Sequence, residues 1–137
     1  MLDLARRLPE WFTPGGLEHM ALDFQFQHRR VAVALAGEVV GFLTFNVHEG
    51  EGQICWLGVA PEHQRQGVGR ALLTEIEHEL RTAGVRAVTV ETLGDAVDYD
   101  PYEKTRAFYR SMGYRDAKVL QLDNPECPEL LTLRKEL

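Results

Sequence analysis

No apolar run in this sequence approaches the length that a bilayer span needs, and no secretory apolar core opens it. Residues Met1 to Arg7 are mixed and amphipathic instead. Membrane and secretory readings are therefore set aside. Cysteine is scarce. Cys55 and Cys127 stand in no metal-ligand spacing, and they read as reduced, buried thiols of a cytoplasmic protein. Neither stands beside a histidine in sequence, so no covalent thiol intermediate is implied. Positive charge is also short. Fifteen basic residues face 21 acidic ones for a net charge of −6, which argues against nucleic acid as a partner. The same balance leans mildly toward cationic partners such as amines. There is no internal repeat, linker or low-complexity tract. At 137 residues and 45% hydrophobic content, residues 1–137 read as one globular domain with a real core.

The most informative stretch runs from Gln53 to Ala83. Ile54, Cys55, Trp56, Leu57 and Val59 form a short apolar run stopped by Pro61, which predicts a buried strand. Val68, Leu72, Ile76 and Leu80 recur every fourth residue, which predicts an amphipathic helix, with Ala71, Leu73 and Ala83 widening the same face. Arg70, Thr74, Glu77, His78 and Arg81 fall largely on the other side, and Gly84 offers a stop. Between strand and helix lies a glycine-containing turn. The first amides of a helix lack intrahelical partners and sit at the positive end of its dipole, so such an end binds anionic oxygens. Gly67 and Gly69 lack a Cβ, which lets a ligand approach the backbone from Gln64 to Arg70. Arg65 and Arg70 add charge, either to phosphates or simply to solvent.

Two familiar phosphate loops are excluded. No Lys-Ser or Lys-Thr follows the glycines, as a Walker loop requires, and Leu72 stands where the dinucleotide fingerprint needs its third small residue. What remains is Gln64-Arg65-Gln66-Gly67-Val68-Gly69. It resembles the Gln/Arg-x-x-Gly-x-Gly/Ala signature of the GCN5-related N-acetyltransferases (GNAT superfamily). Leu57-Gly58-Val59-Ala60-Pro61 is similar to that family's preceding strand. The resemblance implies acetyl-CoA as acyl donor, with its pyrophosphate on the Gln64, Arg65, Gln66, Gly67, Val68, Gly69 and Arg70 turn. It implies an oxyanion contact from a backbone amide near Leu57, Gly58 and Val59, where Gly58 permits a bulge, a close ligand or plain sheet packing. No metal is implied.

The rest of the chain follows in order. Leu2 to Leu8 reads as a short helix ended by Pro9, Pro14-Gly15-Gly16 as a turn, and Leu17 to Phe26 as a second helix. Val31 to Leu35 and Val39 to Val47 read as strands joined by a hairpin at Ala36-Gly37-Glu38, and His48 to Gly52 as a polar turn. Ala87 to Thr92 is a strand parallel to the central one, because a helix crosses between them. Leu93 to Pro101 is an acidic loop, Tyr102 to Met112 a helix with Ala107, Phe108 and Met112 inward, and Val119 to Leu122 and Leu130 to Leu133 terminal strands. The expected class is α/β: a central mixed sheet flanked by helices, antiparallel at its start and parallel in its middle. The resemblance covers the chain from about Val31 onward and implies a GNAT-like acyl-CoA N-acyltransferase fold whose first strand is short or missing here.

A second segment carries the resemblance further. Ala107-Phe108-Tyr109 with Gly113-Tyr114 is similar to the family's Ala-x-x-Phe/Leu-Tyr-x-x-x-Gly-Phe/Tyr pattern. It implies Tyr109 as the general acid near the coenzyme sulfur, against the alternative of a half-buried core phenol. Tyr102 stands where many relatives place a coenzyme-contacting asparagine. Glu91, near the end of its strand, is the candidate general base, or only a solvated carboxylate. Asp98, Asp100, His48 and Glu51 are its rivals, as is a base acting through water, and His63 reads as a loop residue in solvent.

The activity implied is transfer of an acetyl group to a primary amine by direct attack in a ternary complex. A catalytically silent acyl-CoA-binding sensor and a different acyl donor stay open. So do the acceptor (peptide N-terminus, lysine, polyamine or aminoglycoside) and a homodimer through the C-terminal strands. The regions expected to set specificity are Phe12 to Gln27, Val47 to Gln53, Leu93 to Pro101 and Asn124 to Pro128.

Overall fold

The computed structural model of the protein describes residues 2–18, 20, 29–35, 38–96 and 99–137. The helix expected from Leu17 to Phe26, for residues 19 and 21–26, and the hairpin residues Ala36 and Gly37 lie outside the described residues, as does Asp98. The elements in order are α1 (Leu2–Arg6), β1 (Arg29–Leu35), β2 (Glu38–His48), β3 (Glu51–Val59), a short 3-10 turn (Pro61–His63), α2 (Val68–Thr82), β4 (Ala87–Leu93), α3 (Asp100–Ser111), β5 (Arg115–Gln121) and β6 (Glu129–Glu136). Residues 14–18 are also helical, so Pro14-Gly15-Gly16 opens a helix rather than making a turn. Proline is favoured at that first position, where its missing N–H costs nothing. The six strands form one mixed sheet in the order β1-β2-β3-β4-β6-β5. Among the described residues only β3 and β4 run parallel, with α2 crossing between them. Among the described residues, no helix is long and apolar enough to cross a membrane.

Local chemistry accounts for these elements. Glu49 and Gly50 both have positive φ, 51° and 79°, which closes β2 and β3 into a two-residue hairpin matched to the strand twist. The α2 stripe buries Leu72, Leu73, Ile76 and Leu80, each about 1% exposed or less. Each such side chain contributes roughly 1.5–3 kcal/mol relative to exposure. They pack with Leu43, Phe45, Ile54, Val88, Val90, Tyr109, Leu131 and Leu133 on one face of the sheet. A second cluster on the other face joins Leu4, Ala5, Leu8, Phe12 and Met20 to Val40, Phe42 and Ala60.

Three expectations about helix faces are corrected. Ala71 and Ala83 are exposed, because the packed stripe is narrower than the apolar one. Glu77 is buried rather than solvated, since Lys135 Nζ reaches its Oε1 at 2.6 Å. On α3 the buried residues are Arg106 and Tyr109, not Ala107, which is exposed, while Phe108 and Met112 are half-buried. The Arg106 guanidinium is satisfied internally. It donates to the carbonyls of Leu93 (2.8 Å) and Gly94 (3.0 Å), and its Nε lies 3.2 Å from Asp95. The cysteines are half-buried rather than buried, and neither is in a disulfide.

The feature that creates the site is a break in pairing. The β2–β3 ladder pairs Thr44 with Trp56 and Phe45 with Ile54, which leaves Cys55 as an extra residue, a β-bulge. The β3–β4 ladder runs from Glu51↔Ala87 to Ile54↔Val90 and ends there, whereas β4 goes on pairing with β6 as far as Leu93↔Leu130. Beyond Ile54 the two central strands part. By strand geometry, alternate residues from Cys55 to Val59 turn their N–H and C=O groups into the gap.

The bulge is thus at Cys55 and not at Gly58, and Gly58 is needed for packing. A Cβ there would lie 2.7 Å from Phe42 Cε1 and 3.3 Å from Leu8 Cδ1. Gly58→Ala is expected to lose about 1–3 kcal/mol of stability by overpacking this face. Urea unfolding tests this, and a variant as stable as the parent would contradict the packing account.

Candidate functional site

The parting strands enclose a cleft of about 590 Å³, walled by β3 from Ile54 to Val59, β4 from Val90 to Thr92, the turn into α2, and α3. Leu8, Trp11 and Phe12 close it on the α1 side. Of the residues that the sequence assigns to the coenzyme or to the leading catalytic roles, all line it except Gln66, which lies in the same turn.

One end carries an uncapped helix N-terminus. Gly67 caps α2 in the left-handed conformation (φ 85°), no side chain caps the helix, and its first turn holds no acid. Ala71 N–H is the first to bond back, to Gly67 at 2.9 Å, so the amides of Val68, Gly69 and Arg70 precede the ladder. Arg65, also left-handed (φ 62°), holds a conformation that costs a non-glycine residue roughly 1–2 kcal/mol. The turn is braced by its own glutamines. Gln64 Nε2 donates to Val59 O (3.1 Å) and Gln66 Nε2 to Glu62 O (3.2 Å), while Gln66 Oε1 lies 3.4 Å from His63 Nδ1. The one nearby carboxylate, Glu62, is engaged by Arg7 at 2.6 Å and held below its usual range by that contact. Among the described residues neither Arg65 nor Arg70 makes an ion pair, and both line the cleft.

The middle of the cleft holds Tyr109 and Glu91. Tyr109 is 3% exposed, between Phe108 (ring centroids 5.2 Å) and Tyr114 (5.5 Å), both edge-on. Its hydroxyl makes no hydrogen bond to another described residue. Burial raises its pKa well above that of an ordinary phenol. Tyr109 therefore stays protonated near neutrality. Glu91 is exposed at the other wall and pairs through its backbone with Thr132. Alternation sets it on the face opposite Val90, which packs in the core with Tyr109. The phenol and the carboxylate thus reach the gap from opposite faces of the sheet.

The described rivals for the base, Glu51, His48 and Asp100, do not line the cleft. Glu51 pairs with Arg134 (2.6 Å) at the far end of β3, and His48 belongs to the distant hairpin, 3.7 Å from Glu49. Asp100 pairs with Lys104 (3.2 Å) on α3. Asp95 of the acidic loop is committed to Arg110 (2.7 Å) and Arg106, which hold its carboxyl below the usual range. Among the described residues no cluster of His, Cys, Asp and Glu is placed to hold a metal.

Two features were missed by the sequence reading. Arg106 was assigned no role, yet it fixes the end of β4 through the Leu93 and Gly94 carbonyls. Trp11 carried no motif signal, yet its indole donates to Pro101 O and Thr105 Oγ1, both at 3.1 Å. Tyr102 lies across the same junction and donates to Trp11 O at 2.9 Å, and Tyr99 donates to Glu10 O at 2.9 Å. Tyr102 therefore ties the N-terminal segment to α3 while lining the cleft.

Comparison with known proteins adds the following. The family described as "Acetyltransferase (GNAT) family" matches residues 2–114. Mycothiol acetyltransferase of Arthrobacter sp. (strain FB24) is 31% identical over 127 residues, covering 86% of this chain and 34% of that protein. [Ribosomal protein bS18]-alanine N-acetyltransferase of Escherichia coli (strain K12) is 30% identical over 83 residues, 61% of this chain and 52% of that protein. The chain thus spans about a third to a half of the length of these curated relatives. A solved GNAT-family chain from Desulfovibrio desulfuricans superposes with a TM-score of 0.85 at 25% identity, over 98% of this chain and 88% of that one.

The raised pKa of Tyr109 has a consequence for stability. An unfolded phenol titrates near pH 10, and the folded one above it, so this contribution is full below about pH 10 and is lost as pH rises further. The melting temperature is expected to fall above pH 10, and less steeply in Tyr109→Phe. Equal slopes would place Tyr109 in a wetter setting than described here.

Proposed function

The chain belongs to the acetyltransferase (GNAT) family, and on that footing we propose that it moves an acetyl group from acetyl-CoA to a primary amine by direct attack in a ternary complex. The observation that carries this reading is the polarity of one cleft. A bare, acid-free helix N-terminus flanked by Arg65 and Arg70 stands at one end, and the Tyr109 phenol and Glu91 carboxylate stand further in. These groups fit the donor. The amides of Val68, Gly69 and Arg70 would hold the pyrophosphate, and the open edge of β3 would accept the extended pantetheine arm.

In this reading Glu91 takes a proton from the incoming ammonium, directly or through water, so that the neutral amine can form the new C–N bond. Backbone amides of the Leu57 to Val59 edge donate to the carbonyl oxygen as it gains charge. Tyr109 gives its proton to the sulfur as the C–S bond breaks. The nitrogen of the collapsing intermediate loses its second proton to solvent, the thiol of coenzyme A and the N-acetyl product leave, Glu91 releases its proton to solvent, and Tyr109 is reprotonated from solvent.

Gly67→Glu and Gly67→Ala test the donor end. Both carry the same left-handed backbone penalty, but only the glutamate places a negative charge against the amides. By calorimetry, Gly67→Glu is expected to lose coenzyme A binding by at least about tenfold relative to Gly67→Ala. Equal affinities would remove the α2 end from the site. Tyr109→Phe is expected to lower kcat by about 10²–10⁴-fold with little change in donor affinity. An unchanged kcat would remove Tyr109 from the chemistry.

A further inference from the structure

Charge is partitioned along the cleft. Arg65, Arg70 and Lys104 all lie toward the α2 end or on the α3 flank, and Glu91 is the single carboxylate among the described lining residues. The lining also holds an aromatic wall. Phe12 and Trp56 meet with ring centroids 5.9 Å apart at 52°, and Trp11 and Tyr102 complete that wall. These rings are held in place rather than adaptable. The indole of Trp11 is fixed by two hydrogen bonds to α3, and Tyr102 by one to the Trp11 carbonyl.

This composition discriminates among amine classes. Each ammonium taken out of water needs an opposing charge or strong acceptors. A polyamine or an aminoglycoside brings several, and one carboxylate balances one. Aromatic rings offer apolar area together with a face that attracts a single cation. Building on the acetyl-transfer reading, we propose that the acceptor is a monocationic primary amine on an apolar, aromatic-bearing arm. Its ring packs against the cleft-facing surfaces of Trp11, Trp56 and Tyr102, and its nitrogen points to Glu91.

The protein has two tryptophans, and both line this wall, so intrinsic fluorescence reports on it without turnover. The full chain, saturated with coenzyme A, is titrated with phenethylamine, 4-phenylbutylamine, spermidine and kanamycin. The two arylalkylamines are expected to give saturable changes and the two polycations none. With acetyl-CoA and a free-thiol assay, the arylalkylamines should show kcat/KM at least about tenfold above the polycations. Trp11→Phe, which keeps an aromatic ring but loses the indole N–H bonds, should raise KM for phenethylamine by about three- to tenfold and leave coenzyme A affinity unchanged. Comparable or better turnover of spermidine or kanamycin would overturn the proposal. So would a failure of the arylalkylamines to react in a protein that binds acetyl-CoA, or an unmoved KM in Trp11→Phe. If calorimetry shows no binding of acetyl-CoA or coenzyme A, the acetyl-transfer reading itself falls, and the acceptor class with it.

Discussion

The structure turns on the point where β3 and β4 stop pairing. Two parallel strands in the middle of a sheet normally satisfy each other along their whole length. Here the ladder ends at Ile54↔Val90, one residue before the bulge at Cys55. Everything downstream depends on that break. The bent end of β3 carries the chain to Pro61 and into the turn that opens α2, so the helix N-terminus faces the same gap as the unpaired strand edge. Exposed strand groups and exposed helix amides are each costly to leave unsatisfied. Placing both on one cleft makes a binding surface out of two incomplete ladders.

The surroundings keep this opening from closing. On the β4 side, β6 pairs through to Leu93, and the buried Arg106 then ties the last carbonyls of the strand to α3. Asp95, Arg110 and Asp116 extend that tie to the surface, with Arg110 2.9 Å from Asp116. On the β3 side, Phe42 and Leu8 pack against Gly58 from the far face. The segment carrying Trp11 bridges the two sides by hydrogen bonds to α3. The cleft is thus braced from both walls.

Much of this was legible in the sequence, and what was not has identifiable causes. The strand, turn and helix from Gln53 to Thr82 were readable because period and glycine placement agree there. The order of the elements and the parallel β3–β4 pair followed from the crossing helix. The extent of β5 was not readable, since it is an edge strand exposed along its whole length and Arg115 to Lys118 show no apolar alternation. Burial of Arg106 and Glu77 escaped because their partners, the Leu93 and Gly94 carbonyls and Lys135, are tertiary. The bulge at Cys55 leaves no residue signature, so Gly58, the more obvious bulge residue, drew the attention. Of the candidate site, the turn and the uncapped helix start were legible because they are local in sequence. The aromatic wall was not, because Trp11 and Trp56 are 45 residues apart and meet only in the fold.

The central claim is that this cleft is a coenzyme A site, and thermal denaturation with acetyl-CoA, coenzyme A and ATP in parallel addresses it most directly. A ligand that binds only the folded state at a hundredfold excess over its Kd adds about 2.7 kcal/mol of stability. The account predicts that acetyl-CoA and coenzyme A each raise the melting temperature by several degrees while ATP does not. No shift with either coenzyme A species would mean that the bare end of α2 and the parted strands are features of packing alone, and would contradict the account at its base.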